Sequence, residues 1–359
     1  VSDGLTIQSH KGPYRVHFDV DALERLNASV PDDAHFLVDA RVADLYRDQM
    51  GNVLASRSVL LIEATEAAKS LERFPAYVEH LVANGLRRDH VLVAIGGGIL
   101  QDITCFLSAT MLRGVDWRFY PTTLLAQCDS CIGSKSSINC GDAKNILGTF
   151  TPPRDIFLST RFLATLDPRE IRSGIGEMLK VHMIAGPADF AAIAESYESL
   201  WTDPAVMEAT IRRALEIKQG YIEKDEFDTG PRLVFNLGHS FGHAIEAATD
   251  FAVPHGIAVT IGLDMAGWMS WRLGSGREDY WRTARPVLAR NYAGYQSVPV
   301  PLDRFLAALA KDKKNVGQGS ATLILPGPDG RVARGVHAVD QPFRHLCAEF
   351  LDEVRPHAP

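Results

Sequence analysis

Glu177, His239 and His255 stand far apart in the chain, in the segments IRSGIGEMLK, NLGHSFGHAIE and VPHGIAV. Two neutral imidazoles and one carboxylate form a donor set that suits Zn²⁺, and Co²⁺ would satisfy the same ligands; three protein ligands leave a coordination position for water or substrate. That is the arrangement of a catalytic metal. Each residue also has a plainer reading: Glu177 with Lys180 as a helical ion pair, and His239 with His243 as neighbours on one helix face. The combination points to chemistry, because Gly238-His239-x-x-Gly242-His243 opens a small-residue helix and Pro254-His255-Gly256 turns into an apolar segment.

A second group suggests a nucleotide. Gly96, Gly97 and Gly98 follow the apolar run VLVAI, where glycine lets backbone approach a pyrophosphate at a helix N-terminus. The run is not GxGxxG, and a tight turn is the plainer reading. Asp39, at the end of an earlier apolar run, could accept from a ribose hydroxyl or cap a helix.

A third group is polar and dense. In PTTLLAQCDSCIGSKSSINCGDAKNILGTF, Asp129, Lys135, Lys144 and Asn145 stand among small residues, while Arg113, Lys180, Lys218, Arg232, Lys313 and Lys314 add cations elsewhere. Scattered lysines are usually solvated surface. Lys135, Lys180 and Arg232, however, lie beside glycine turns or the candidate metal ligands, so the expected substrate is an anion, a phosphate with a second acidic group.

These residues need a frame to hold them. A chain of 359 residues exceeds one ordinary core, and two domains are expected. Apolar runs at 36–40, 58–64, 90–98 and 117–123 read as buried strands alternating with helical stretches such as 74–86, the signature of a parallel sheet covered by helices. After about residue 155 the pattern turns helical. The expectation is an α/β nucleotide-binding domain over 1–155 and an all-helical metal- and substrate-binding domain over 156–359. The formal net charge of −7 argues against a nucleic-acid partner. No apolar run reaches the roughly 20 residues of a membrane helix, and the start VSDGLTIQSH shows no secretory pattern, so a cytoplasmic protein with no membrane partner is expected. Five cysteines fit reduced thiols.

The motifs together resemble the sugar-phosphate cyclases of the 3-dehydroquinate synthase superfamily. The similarity runs from about Asp39 to Lys314, through TEAAKSLE, RRDHVLVAIGGGILQD, RGVDWRFYPTTLLAQCDS, KNILGTF, GIGEMLK, DEFDTGPRLVFNLGHSFGHAIE, VPHG and DKK. The resemblance implies a homodimer of nucleotide-binding α/β domains followed by helical metal-binding domains. It also implies a lyase that needs NAD without net redox: a substrate alcohol is oxidised, phosphate leaves by β-elimination, the ketone is reduced again, and an aldol addition closes a carbocycle. Zn²⁺ would polarise the alcohol oxygen and the nicotinamide would carry the hydride.

By the same resemblance Glu177, His239 and His255 match metal ligands. Asp39, Glu66, Lys69, Gly96, Gly97, Gly98, Asp102, Thr122, Thr123, Lys144, Phe162 and Thr165 match NAD contacts. Arg113, Asp129, Lys135, Asn145, Lys180, Lys218, Arg232, Asn236, His243 and Lys313 or Lys314 match substrate contacts; among these His243, Lys180, Asp129 and Lys135 carry the catalytic roles, with His243 in proton transfer.

Lys218, Arg232 and Asn236 match the set that holds a substrate carboxylate, which favours a dehydroquinate- or aminodehydroquinate-type enzyme acting on a heptulosonate phosphate. The run IGSKSSIN departs from the glycine-rich form usual in that branch, with Ser134 and Ser136 in place of Gly and Thr. The alternatives are 2-deoxy-scyllo-inosose or valiolone-type synthases, using glucose 6-phosphate or sedoheptulose 7-phosphate, and a metal-dependent polyol dehydrogenase of the same plan.

Overall fold

Alternating apolar and helical stretches build one parallel sheet from the first part of the chain. The structure, a computed structural model, describes residues 4–141, 143–311 and 319–358. It divides into two units, Val1–Asp167 with Lys218–Phe227, and Pro168–Ile217 with Asp228–Pro359.

In the first unit the strands are β1 (Leu5–Ile7), β2 (Tyr14–Phe18), β3 (Ala34–Asp39), β4 (Val59–Ile62), β5 (Val91–Gly96), β6 (Asp116–Pro121), β7 (Ile138–Cys140), β8 (Ala143–Leu147) and β9 (Asp155–Leu158). Seven of them form one sheet in the order β1-β2-β9-β6-β5-β3-β4, and β7 and β8 make a separate ribbon. β1 joins β2 antiparallel, while the pairings from β2 across to β4 are parallel. β5 is buried at every residue, as expected of a parallel strand covered on both faces. Phe36, Val38, Val93 and Ile95 pack with Leu23, Met50 and Phe162 in its core. β3 is flanked by β4 on one side and β5 on the other, so the chain reverses its direction of travel across the sheet between them. Open α/β sheets bind ligands at the carboxyl ends of strands at such a switch point.

The expected boundary at residue 155 is corrected. Asp155 begins β9, whose register with β2 runs from Arg15–Asp155 to Phe18–Leu158, so the sheet keeps the chain past that point. The return of residues 218–227 to the first unit was also not expected from the pattern; the helix Pro204–Ile222 begins in one unit and ends in the other.

The second unit is helical, with main helices Pro168–Ala185, His239–Ala248, His255–Arg272 and Glu278–Asn291. It is not all-helical: β10 (Ser320–Pro326) and β11 (Val332–Ala338) form an antiparallel hairpin. Residues of β10 are almost wholly buried and those of β11 are not, a one-sided ribbon covering helices. Among the described residues no helix is long and apolar enough to cross a membrane.

Candidate active site

Small residues bring the metal-ligand candidates together. A Cβ on Gly176 would lie 2.2 Å from the Gly256 carbonyl oxygen, and one on Gly256 only 1.9 Å from that of Ser173, so the helices Pro168–Ala185 and His255–Arg272 approach to a distance only glycine permits. The next residue along one helix is Glu177, and the residue before Gly256 is His255. Glu177 Oε1 consequently lies 3.2 Å from His255 Nε2 and 3.6 Å from His239 Nε2, while Lys180 Nζ sits 2.6 Å from Oε2. His239 and His255 are each the first residue of a helix.

Both imidazoles are oriented from behind. His255 Nδ1 lies 3.2 Å from Glu246 Oε2, and His239 Nδ1 lies 3.2 Å from the Leu237 carbonyl oxygen. A ring that donates through Nδ1 to such an oxygen keeps Nε2 for a metal ion, and both Nε2 atoms face Glu177. The ring nitrogens of His239, His243 and His255 come within 4.8 Å of one another. His243 is exposed, and its ring lies 5.3 Å from that of His239 and 5.6 Å from that of His255. Glu177 contacts His239 and His255, and His243 is near enough to both rings to complete an alternative three-histidine set.

The electrostatics fit a cation. Burial pushes the Glu177 carboxyl up, but Lys180 and the neighbouring imidazoles outweigh it and hold the group well below the usual carboxylate range. Burial drives His239 well below the usual imidazole range, against the pull of Glu177. For His255 burial is outweighed by its contacts with Glu177 and Glu246, which push it up to about 10. Both Glu177 oxygens are shut off from solvent, with the Lys180 ammonium against Oε2 and the two imidazole Nε2 atoms facing Oε1. An ionised, buried carboxylate whose second oxygen faces two ring nitrogens is a donor set that fits a divalent ion.

The nucleotide candidates gather at the switch point of the sheet. Asp39 ends β3 one residue beyond the Val38–Ile95 pair, alongside Gly96 at the end of β5. Its carboxylate accepts from Arg41 N at 2.9 Å, so the capping reading is realised; burial raises its pKa. A Cβ on Gly97 would meet Thr123 Cγ2 at 2.9 Å, but one on Gly98 would meet nothing within 4 Å. Open space over the first residue of the helix Gly98–Thr110 is what an approaching pyrophosphate needs. Thr122 N donates to the Gly96 carbonyl oxygen at 2.9 Å.

Lys69 ties several candidates together: its Nζ lies 3.1 Å from Asp102 Oδ2, 3.3 Å from Glu66 Oε1 and 3.0 Å from Asn145 Oδ1. Burial raises Asp102 to about 6 against the pull of Lys69. Asn145 thus belongs to the network around Lys69. Thr165 Oγ1 lies 2.9 Å from Tyr46 Oη. Phe162 is buried in the core, so what it can offer a ligand is backbone rather than ring. Lys144 is exposed on β8.

The substrate candidates divide between the units. In the first, Lys218 Nζ contacts both the Asp129 carboxylate and its carbonyl oxygen at 2.5 Å, and Lys135 is exposed on the turn after Ser134. Arg113 has a left-handed backbone, with φ of 64°. It follows the far end of the 13-residue helix that starts at Gly98, so its backbone lies roughly 20 Å along that axis from the glycine turn. In the second unit Lys180 and Arg232 are buried, Lys180 lies 5.5 Å from the centroid of the Phe235 ring, and Asn236 Nδ2 donates to the Leu233 carbonyl oxygen at 3.0 Å. Lys313 and Lys314 lie outside the described residues. Sequence reasoning passed over Glu246, whose signal was a carboxylate three residues beyond His243, and Gly176 and Gly256, whose signal was a glycine beside each ligand.

Models of the 3-dehydroquinate synthase N-terminal and C-terminal regions match residues 59–173 and 174–315. The 3-dehydroquinate synthase of Xylella fastidiosa strain M12 is 36% identical over 307 residues, 81% of this chain and 82% of that protein. A 2-deoxy-scyllo-inosose synthase complexed with carbaglucose-6-phosphate, NAD⁺ and Co²⁺ superposes with TM-score 0.83 at 22% identity, covering 98% of this chain and 100% of that one. The 2-epi-5-epi-valiolone synthase of Streptomyces hygroscopicus subsp. jinggangensis, with NAD⁺ and Zn²⁺ bound, gives 0.79 at 27%, covering 94% and 97%.

Proposed function

Because the chain belongs to the 3-dehydroquinate synthase family, we propose that it is an NAD- and divalent-metal-dependent cyclase that eliminates phosphate from an acidic sugar phosphate and closes a carbocycle. The observation that carries the reading is the buried Glu177 carboxylate facing two imidazoles oriented from behind. NAD and a divalent ion in relatives of the same fold support the cofactor assignment. When bound, the ion supplies Lewis acidity at a substrate hydroxyl and NAD⁺ supplies reversible hydride transfer.

The chain's own residues do the remaining work. Glu177, His239 and His255 hold the ion, and Glu246 and the Leu237 carbonyl keep both rings turned toward it. Lys180 balances the Glu177 charge. His243, exposed beside the ligands, is the candidate to carry a proton at its ring nitrogen during elimination. Asp39 and the backbone from Gly96 to Gly98 receive the nucleotide. Lys218 is pinned by Asp129, and with Lys135 it supplies cations for an anionic substrate; Arg232 is assigned to a substrate carboxylate, where a planar fork suits two oxygens. The reading includes a homodimer, as the family resemblance implies.

Metal-loaded protein offered separately 3-deoxy-arabino-heptulosonate 7-phosphate, its amino analogue, glucose 6-phosphate and sedoheptulose 7-phosphate tests this directly. Phosphate release with a cyclic product is expected from one of the first two. Release from only the last two would remove the carboxylate assignment, and release from none would sink the cyclase. Arg232→Ala should impair the acidic substrate far more than a neutral one, by about 10-fold or more in kcat/KM.

A further inference from the structure

The turn that presents Lys135 has a backbone its sequence does not favour. Gly133 and Ser134 take φ of 106° and 60°, and a left-handed conformation is unfavourable for a residue with a Cβ, as Ser134 is. Ser134 is also buried, at 3% exposure. Something must hold it there.

Glu226 supplies the hold. Its Oε1 accepts from Ser134 Oγ at 2.9 Å and lies 2.9 Å from His10 Nδ1, while its Oε2 accepts from His10 N at 2.7 Å. Burial pushes the Glu226 carboxyl up, but the contacts with His10 and Ser134 outweigh it and keep it below its ordinary value; it is therefore ionised at neutral pH and its hydrogen bonds are charge-assisted. The turn is tied on its other side as well, by Gly133 N donating to Tyr14 Oη at 3.1 Å and by an antiparallel bridge of Lys135 with Phe150, in which Thr151 N donates to the Ser134 carbonyl oxygen at 2.7 Å and Ser136 N to that of Thr149 at 3.0 Å; Glu226 adds the side-chain hold on Ser134. Glu226 itself lies at the end of the segment 218–227 that returns to the first unit and also carries Lys218.

We infer that Glu226 is a positioning residue: through Ser134 it locks the left-handed turn that aims Lys135, so that the returning segment fixes two of the cations assigned to the substrate, Lys218 directly and Lys135 at one remove. This rests on the reading of Lys135 as a substrate contact. A purely structural residue would affect stability alone; a positioning residue changes substrate binding, and its loss is repaired by any residue that adopts the turn unaided.

The test uses the metal- and NAD-loaded protein with 3-deoxy-arabino-heptulosonate 7-phosphate, together with hydrogen exchange of the amides at 133–136. Glu226→Ala is expected to raise KM about 10-fold, with kcat changed less than about 3-fold, and to speed exchange across the turn. Glu226→Gln, which keeps an acceptor for Ser134, should fall between it and the parent and serves if the alanine variant does not fold. Ser134→Gly combined with Glu226→Ala should bring KM back to within about 3-fold of the parent, because glycine takes the left-handed turn without strain. An unchanged KM and unchanged exchange in Glu226→Ala overturns the inference, as does a raised KM that Ser134→Gly does not repair. Lys135→Ala separates the two levels: no rise in KM there removes the substrate role of Lys135, while the exchange arm still decides whether Glu226 holds the turn.

Discussion

The proposed metal centre and the proposed nucleotide crevice are built on opposite principles. In the second unit, five side chains (Glu177, Lys180, His239, Glu246 and His255) meet at ion-pair or hydrogen-bond distance, and the backbone contributes by letting helices approach at glycine. In the first unit the proposed binding surface is the backbone itself: open space over Gly98 and a strand end carrying Asp39. A side-chain site holds a small ion through few strong contacts. A backbone cradle holds an extended anion through many weak ones.

The comparison can be broken first at the metal. His239→Ala should abolish bound metal and lower kcat/KM by about 10³-fold or more, read by metal content after dialysis alongside phosphate release; full metal occupancy would show that His239 is not a ligand. Glu246→Ala should leave the ligands in place yet weaken Zn²⁺ or Co²⁺ by about 10–100-fold, measured by chelator competition, and unchanged affinity would remove the orienting role. Metal uptake should also release protons and weaken as the pH falls. His255 is held up to about 10 between its two carboxylates, so the ion must displace its proton, and that displacement grows harder in acid; an affinity flat from pH 8 to 6 would contradict this.

The crevice gives the smaller effect. Gly98→Ala places a methyl where nothing lies within 4 Å, so thermal stability should change little while NAD affinity falls about 10-fold, measured by calorimetry. Unchanged affinity would mean that the nucleotide does not approach this backbone. A large fall in stability would mean that the space belongs to packing.

The same contrast explains what was legible in the sequence. His239 and His255 announce themselves by type, and the structure brings them to Glu177 as expected. The strands β3, β4 and β5 were readable because their apolar runs are continuous, and β6 because Trp117, Phe119 and Tyr120 outweigh the interruption at Arg118. β2 and β9 were not: YRVHF and DIFL carry charged or polar residues that the sheet pairs across strands, as in Arg15 with Asp155, and neither reads as a buried run. The role of Gly176 was invisible for another reason, since a glycine says nothing of which backbone it lies against. Ser134 is the clearest case, because only the structure shows a left-handed serine and the distant carboxylate that holds it.

The central claim is oxidation and reduction within one turnover, and it is tested most directly by following phosphate and NADH together with limiting NAD⁺ and excess 3-deoxy-arabino-heptulosonate 7-phosphate. The account predicts many phosphates released per NAD⁺, each with one cyclic product, and no accumulation of NADH. NADH formed in step with substrate consumption, with phosphate still attached, would contradict it and make the chain a dehydrogenase.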